Sequence, residues 1–128
     1  IICYESIYGE FVTDYVKNGA NFLGVITNDS WWGASQGHQQ LLAYARLRAI
    51  ENRREVARSA NGGISAHINA RGDILAHTLY NEKNALTADV QLYEKETIYS
   101  KIGDLLSKIS IVMMFSMFIL SIFRKIKK

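Results

Sequence analysis

The chain has little of what many site chemistries require. Its single cysteine, Cys3, excludes an intrachain disulfide and a cysteine-based zinc cluster, and His38, His67 and His77 lack ligand spacing, so no metal centre is expected. Internal repeats and low-complexity runs are absent. No methionine opens the chain and no signal peptide precedes its first extended residues. It is therefore expected to be the C-terminal part of a longer protein, inactive and poorly folded alone because the strand beginning at Ile1 lacks a partner from the missing half, which leaves an apolar sheet face and edge uncovered. A basic, aromatic-interleaved patch is also missing. The net charge of +3 resides in Arg124, Lys125, Lys127 and Lys128, nothing acidic follows Asp104, and the remainder is slightly acidic. No nucleic-acid partner is expected.

What is present begins with Ile1-Ile2-Cys3-Tyr4-Glu5-Ser6. Two β-branched residues run into Cys3 and an amphipathic helical pattern follows, which puts Cys3 at a strand-to-helix turn. NH groups at a helix N-terminus favour a thiolate, the nucleophilic form; the competing reading is a small buried hydrophobe. Residues 7–18 are expected to be a helix burying Ile7, Phe11, Val12, Tyr15 and Val16, stopped by Gly19. Phe22 to Ile26 reads as a buried parallel strand. The resulting βαβ unit places both strand ends, and so Cys3 and Asn28, at one rim.

Thr27-Asn28-Asp29-Ser30-Trp31-Trp32-Gly33 is a turn carrying two indoles that are costly to leave in water. They either plug the core or line a pocket beside Cys3. His38 reads as a loop residue, a substrate contact or a general base. Gln39 to Asn52 predicts a helix with an apolar face of Leu42, Ala45 and Ala49, while Arg46, Arg48, Arg53 and Arg54 either hold an anion or sit on solvated faces and pair with Glu51 and Glu55. Val56–Ala60, Ile64–Ile68, Ile74–His77 and Ala85–Val90 read as strands. Asn61-Gly62-Gly63 permits a turn or close backbone approach, and Asn69 to Asp73 reads as a hairpin turn.

Ile109 to Phe123 carries no charge. Fifteen residues rise about 22 Å, short of the roughly 30 Å hydrocarbon layer, and Leu105 and Leu106 extend the run if Lys108 snorkels. A core helix and a surface-lying helix are the alternatives; apolar residues on every side followed by a basic cluster favour a membrane span. The expected division is residues 1–100 as one domain and 101–128 as the span, about 105–123, with a basic tail. The positive-inside bias puts that tail in the cytoplasm and the domain on the other side.

Four motifs in order, Ile2-Cys3-Tyr4-Glu5, Asn28 to Gly33, Arg48-Ala49-Ile50-Glu51-Asn52 and Asn61-Gly62-Gly63-Ile64-Ser65, resemble the carbon–nitrogen hydrolase (nitrilase) superfamily. The terminal span and tail make the likeness greatest to its membrane-bound N-acyltransferase branch. The resemblance implies an α/β fold, the C-terminal part of an α-β-β-α sandwich, and a Glu-Lys-Cys triad with Cys3 as nucleophile. The glutamate base and the lysine are expected upstream, outside this chain. By the same likeness Glu5 supports the site, the Tyr4 NH is an oxyanion donor, and Trp31, Trp32 and Gly33 form a loop near the active site. That branch often carries Trp-Phe-Gly there, so Trp32 departs from its pattern.

The reaction so implied moves a fatty acyl chain from a phospholipid donor, through a Cys3 thioester, to the N-terminal amine of an apolipoprotein acceptor at the bacterial inner membrane. Neither metal nor other cofactor is expected. A covalent thioester suits an ester-to-amide exchange because each half-step meets a better leaving group or nucleophile. The alternatives are an amidase of the same superfamily, which has no need of the span, and a membrane-anchored interaction module with an unreactive Cys3.

Overall fold

The computed structural model describes residues 1–126. A 3-10 turn, Cys3–Ile7, leads into helix α1, Gly9–Lys17, with Glu10 in its first turn and Lys17 in its last, each at the end its charge favours. Gly19, at φ +94°, turns the chain out of α1. Strand β1, Leu23–Asn28, and helix α2, Gly37–Asn52, follow, then strands β2, Val56–Asn61, β3, Ala66–Ile68, and β4, Ile74–His77. Two helices close the described chain, α3, Ile98–Ile102, and α4, Leu105–Ile126.

The strands form one sheet in the order β1-β2-β3-β4. β1 and β2 run parallel, with Leu23 beside Val56 and Asn28 beside Asn61, while β2–β3 and β3–β4 are antiparallel. Beyond β1, Ile2 makes a single parallel bridge to Ile26. Parallel neighbours joined through helices bring strand ends to one rim, as the sequence implies.

Strand alternation decides what is buried. Leu23, Val25 and Thr27 face α1 and α2, as do Val56 and Arg58 of β2 and Ala66 and Ile68 of β3; Val12, Val16, Leu42, Ala45 and Ala49 complete the core. The alanine stripe of α2 lets helix and sheet approach closely. The opposite face is covered little: Ile26 is 68% exposed. β1 is therefore buried on one face, whereas the sequence suggested a fully buried strand. This uncovered face fits the mixed helix-and-sheet architecture of half a sandwich.

Several elements depart from expectation. Regular α-helix starts at Gly9, since residues 3–7 wind as a tighter 3-10 turn. Phe11 and Tyr15 face outward and pack edge to face at 5.4 Å, leaving Val12, Thr13 and Val16 as the buried stripe. Ala85–Val90 forms no strand. It crosses the open face past Ala57, Ser59 and His67, enclosing a cavity of about 220 Å³, and a sheet face offers no ladder groups to pair with. The segment is held instead where the Gln91 NH donates to Glu55 Oε2 at 2.9 Å, the Tyr93 NH to Asn21 O at 3.1 Å, and Arg54 Nη1 to Lys95 O at 2.9 Å.

The arginines behave differently from a solvated set. Arg54 is buried and spends its guanidinium on the carbonyls of Ala20, Asn52, Arg53, Glu94 and Lys95; loss of solvent lowers its pKa. Arg48, also buried, does pair with Glu51, at 3.0 Å, and Arg46 Nε donates to Gly72 O at 2.8 Å. Glu55 takes His67 as its partner at 2.8 Å, so the expected arginine pairing is not made there.

Helix α4 has 22 residues, about 33 Å of rise, enough to cross a bilayer by length and composition. No residue of its apolar stretch Leu105–Arg124 is buried. Its first turn is tied to α1: Lys108 Nζ lies 2.7 Å from Glu10 Oε1, which also accepts from the Asp104 NH at 2.9 Å. Of the basic tail, Lys127 and Lys128 lie outside the described residues.

Candidate active site

Cys3 follows the Ile2 bridge and opens the 3-10 turn with φ at +49°, a conformation uncommon for any residue with a Cβ. A strand end passing abruptly into a helical turn presents its side chain at the sheet rim, the geometry of a nucleophile elbow. The thiol is partly exposed. Tyr4 occupies the second position of the turn, where backbone NH groups have no partner within the helix.

Glu5 does not point toward the thiol's hydrogen-bond partners. Its carboxylate turns back so that Oε2 accepts from the Ile2 NH at 2.7 Å, while the Glu5 NH donates to Ile2 O at 3.1 Å. In this geometry Glu5 fastens the strand end to the turn that displays Cys3. The Ser6 hydroxyl adds a bond to Cys3 O at 3.0 Å.

The rim loop comes to the same place. Ser30–Trp32 forms a short 3-10 turn ended by Gly33 at φ +53°, ψ −148°, a conformation that glycine alone adopts readily. Trp32 stacks on Tyr4 with ring centroids 6.2 Å apart. Its other neighbour is Gly37, where any Cβ would strike the indole. Trp31 departs from the expectation that both indoles cover apolar surface: it is 84% exposed and projects from the loop. His38 lies in the first turn of α2, not in a loop, buried and stacked on Tyr80 at 4.2 Å, with its Nδ1 unpartnered.

Sequence reading missed the polar residues beneath the thiol. Thr27 Oγ1 lies 3.5 Å from Cys3 Sγ and 2.8 Å from Asp29 Oδ1, and Asp29 Oδ2 is 2.7 Å from Arg58 Nη2. Asp29 and Arg58 are both buried. The Asp29 NH donates to Asn61 O at 2.8 Å, and any Cβ on Gly63 would collide with the Asp29 carboxylate. Asn61-Gly62-Gly63 is thus the close approach that seats Asp29. The available signal was parity: Arg58 falls on the core-facing register of β2 with Val56, and a buried arginine needs an acid.

Site and fold together define a cysteine-bearing α/β domain. Residues 1–98 match the carbon-nitrogen hydrolase family, and the chain belongs to it. Among curated relatives, the apolipoprotein N-acyltransferase of Chlorobaculum tepidum is 46% identical over 105 residues, covering 82% of this chain and 20% of that protein. Those of Geobacter metallireducens and Haemophilus influenzae are each 38% identical over 104 residues, covering 81% of this chain and 20% of theirs. The chain thus spans about a fifth of the length of these relatives.

Proposed function

We propose that this chain carries the nucleophile of a membrane-bound N-acyltransferase that moves a fatty acyl chain from a phospholipid to the N-terminal amine of an apolipoprotein's lipid-modified cysteine. The observation that carries this reading is Cys3 at φ +49° on a rim it shares with Tyr4, Thr27 and Trp32, in a domain followed by a helix long and apolar enough to span a bilayer. The name shared by the relatives supports acyl transfer to nitrogen and an apolipoprotein acceptor.

In the first half-reaction the Cys3 thiolate attacks the phospholipid ester carbonyl. The C–O bond breaks and the lysophospholipid alkoxide takes up the proton that the thiol lost. In the second, the acceptor amine attacks the thioester, forming the amide and returning the thiol. A base is needed for both; a glutamate outside this chain fills that role, with a lysine beside it. The Tyr4 NH serves as one oxyanion donor, and each such donor is worth about 3–4 kcal/mol. Glu5 holds the turn that presents Cys3. Trp32, Gly33 and the projecting Trp31 form an apolar lip suited to an acyl chain, and excluding water there preserves the thioester for the amine. No cofactor enters this chemistry. The domain, residues 1–100, faces away from the cytoplasm and the basic tail lies inside, consistent with the charge cluster after the span.

The test is mass spectrometry of the Cys3 peptide from the membrane-embedded protein supplied with phospholipid but no amine. An acyl mass that hydroxylamine removes and an acceptor peptide discharges is expected. An unmodified Cys3, or full transfer by Cys3→Ala, would overturn the reading; rapid release of amide hydrolysis products would favour the amidase. A reporter fused after Lys128 should be active only in the cytoplasm, and activity on the outer side would reverse the topology.

A further inference from the structure

We infer that Thr27, held by the buried Asp29–Arg58 pair, is a positioning residue that fixes the Cys3 thiol in its attacking orientation. The inference rests on Cys3 being the nucleophile and goes beyond it, since it assigns work to three residues outside the Cys3-Tyr4-Glu5 motif. The Thr27 hydroxyl has one hydrogen and two neighbours, Asp29 Oδ1 at 2.8 Å and Cys3 Sγ at 3.5 Å. While Cys3 is a thiol, the carboxylate takes that hydrogen and the hydroxyl oxygen offers a lone pair to the S–H. Once the thiolate forms, the hydrogen can swing to sulfur, because Asp29 keeps its bond from Arg58 Nη2 at 2.7 Å. The sulfur has a partner in both states.

The support beneath Thr27 is rigid. Asp29 is 0% exposed, its NH is bonded to Asn61 O at 2.8 Å, and Gly63 leaves no room beside its carboxylate. Arg58 Nη1 bonds Ile64 O at 2.5 Å. Such a chain transmits the geometry of β1, β2 and the glycine turn to a side chain whose own backbone is a strained turn. A nucleophile displaced by about 1 Å loses on the order of a hundredfold in rate, so fixing one rotamer has a measurable effect on turnover.

The experiment measures acylation of Cys3 in the full membrane-embedded protein, using mixed phosphatidylethanolamine–phosphatidylglycerol vesicles at increasing concentration. Thr27→Val, which keeps the shape and removes the hydroxyl, should lower the saturating rate by about 10- to 100-fold and leave half-saturation within about twofold. Thr27→Ser should stay within about threefold of the parent. Thr27→Ala provides the same readout if the valine variant fails to fold. A folded hydroxyl-less variant with parental rate, a serine variant as slow as valine, or a loss confined to half-saturation would each overturn the proposal. Cys3→Ala, assayed for acyl transfer to an acceptor peptide, separates the two readings: if it transfers nothing while Thr27→Val acylates normally, the positioning role falls and the nucleophile stands. If Cys3→Ala transfers normally, the nucleophile assignment itself falls.

Discussion

Arg58 Nη2 and Asp29 Oδ2 meet at 2.7 Å with side chains 1% and 0% exposed, joining the middle of β2 to the loop that leaves β1. Removing one partner strands the other charge away from water. Arg58→Met should destabilise the folded domain by about 3–5 kcal/mol, read as a lowered thermal midpoint in detergent. A change under about 1 kcal/mol would mean that water reaches Asp29.

Gly9 gives a second stability prediction. A Cβ there would meet the Tyr99 hydroxyl and lie 2.7 Å from Arg48 Nη1, and Arg48 is itself fixed by Glu51 at 3.0 Å. Gly9→Ala should therefore cost about 1–3 kcal/mol through overcrowding, although alanine is the better helix former by about 1 kcal/mol. A raised thermal midpoint would show that Tyr99 moves aside freely.

The junction of α1 with α4 should respond to acid. Lys108 and the Asp104 NH both bond the Glu10 carboxylate and hold its pKa below the ordinary 4.5. A depressed acid pKa means the stabilisation is fully present above the unfolded-state value and is lost as pH falls through the lower folded-state value. The hydrogen-exchange protection factor of the Asp104 amide should fall over that window. In Glu10→Gln it should be lower at neutral pH and flat with pH; an unchanged profile in that variant would place the loss elsewhere.

The two indoles should separate in their effects. Trp31, 84% exposed, contributes little to the fold, and Trp31→Ala should change the stability by no more than about 0.5 kcal/mol. Trp32→Ala removes the stack on Tyr4 and the contact with Gly37, and should cost about 1–2 kcal/mol. Equal costs would mean that Trp31 is covered in the membrane-embedded protein.

Much of this arrangement was legible because it follows from periodicity. The helical spacing of Val12 and Val16, the alanine stripe of α2 and the βαβ order fix which faces meet, and these bring Cys3 and the 28–33 loop to one rim. Partnership was less legible than conformation. Ala85–Val90 is apolar and extended, yet nothing in its own residues tells that it crosses a sheet face, away from any edge. Arg54 differs from its sequence reading for the same reason: the sequence shows a charge, and only the fold shows five carbonyls converging on it, as only the fold shows the Ile2 amide facing the Glu5 carboxylate. In the sequence Thr27 and Asp29 look like turn formers, and the parity of Arg58 is the clue to their burial.

The +49° backbone angle at Cys3 also restricts how this site can change its chemistry over evolutionary time. A β-branched residue is a genuine outlier at such an angle. Threonine, a nucleophile in other enzymes, is thereby closed to this position, whereas serine and glycine fit the turn. Drift here is thus confined to residues without a branch at Cβ, so relatives of this domain that lose the cysteine should carry serine or glycine at the elbow and keep the Asp29–Arg58 pair.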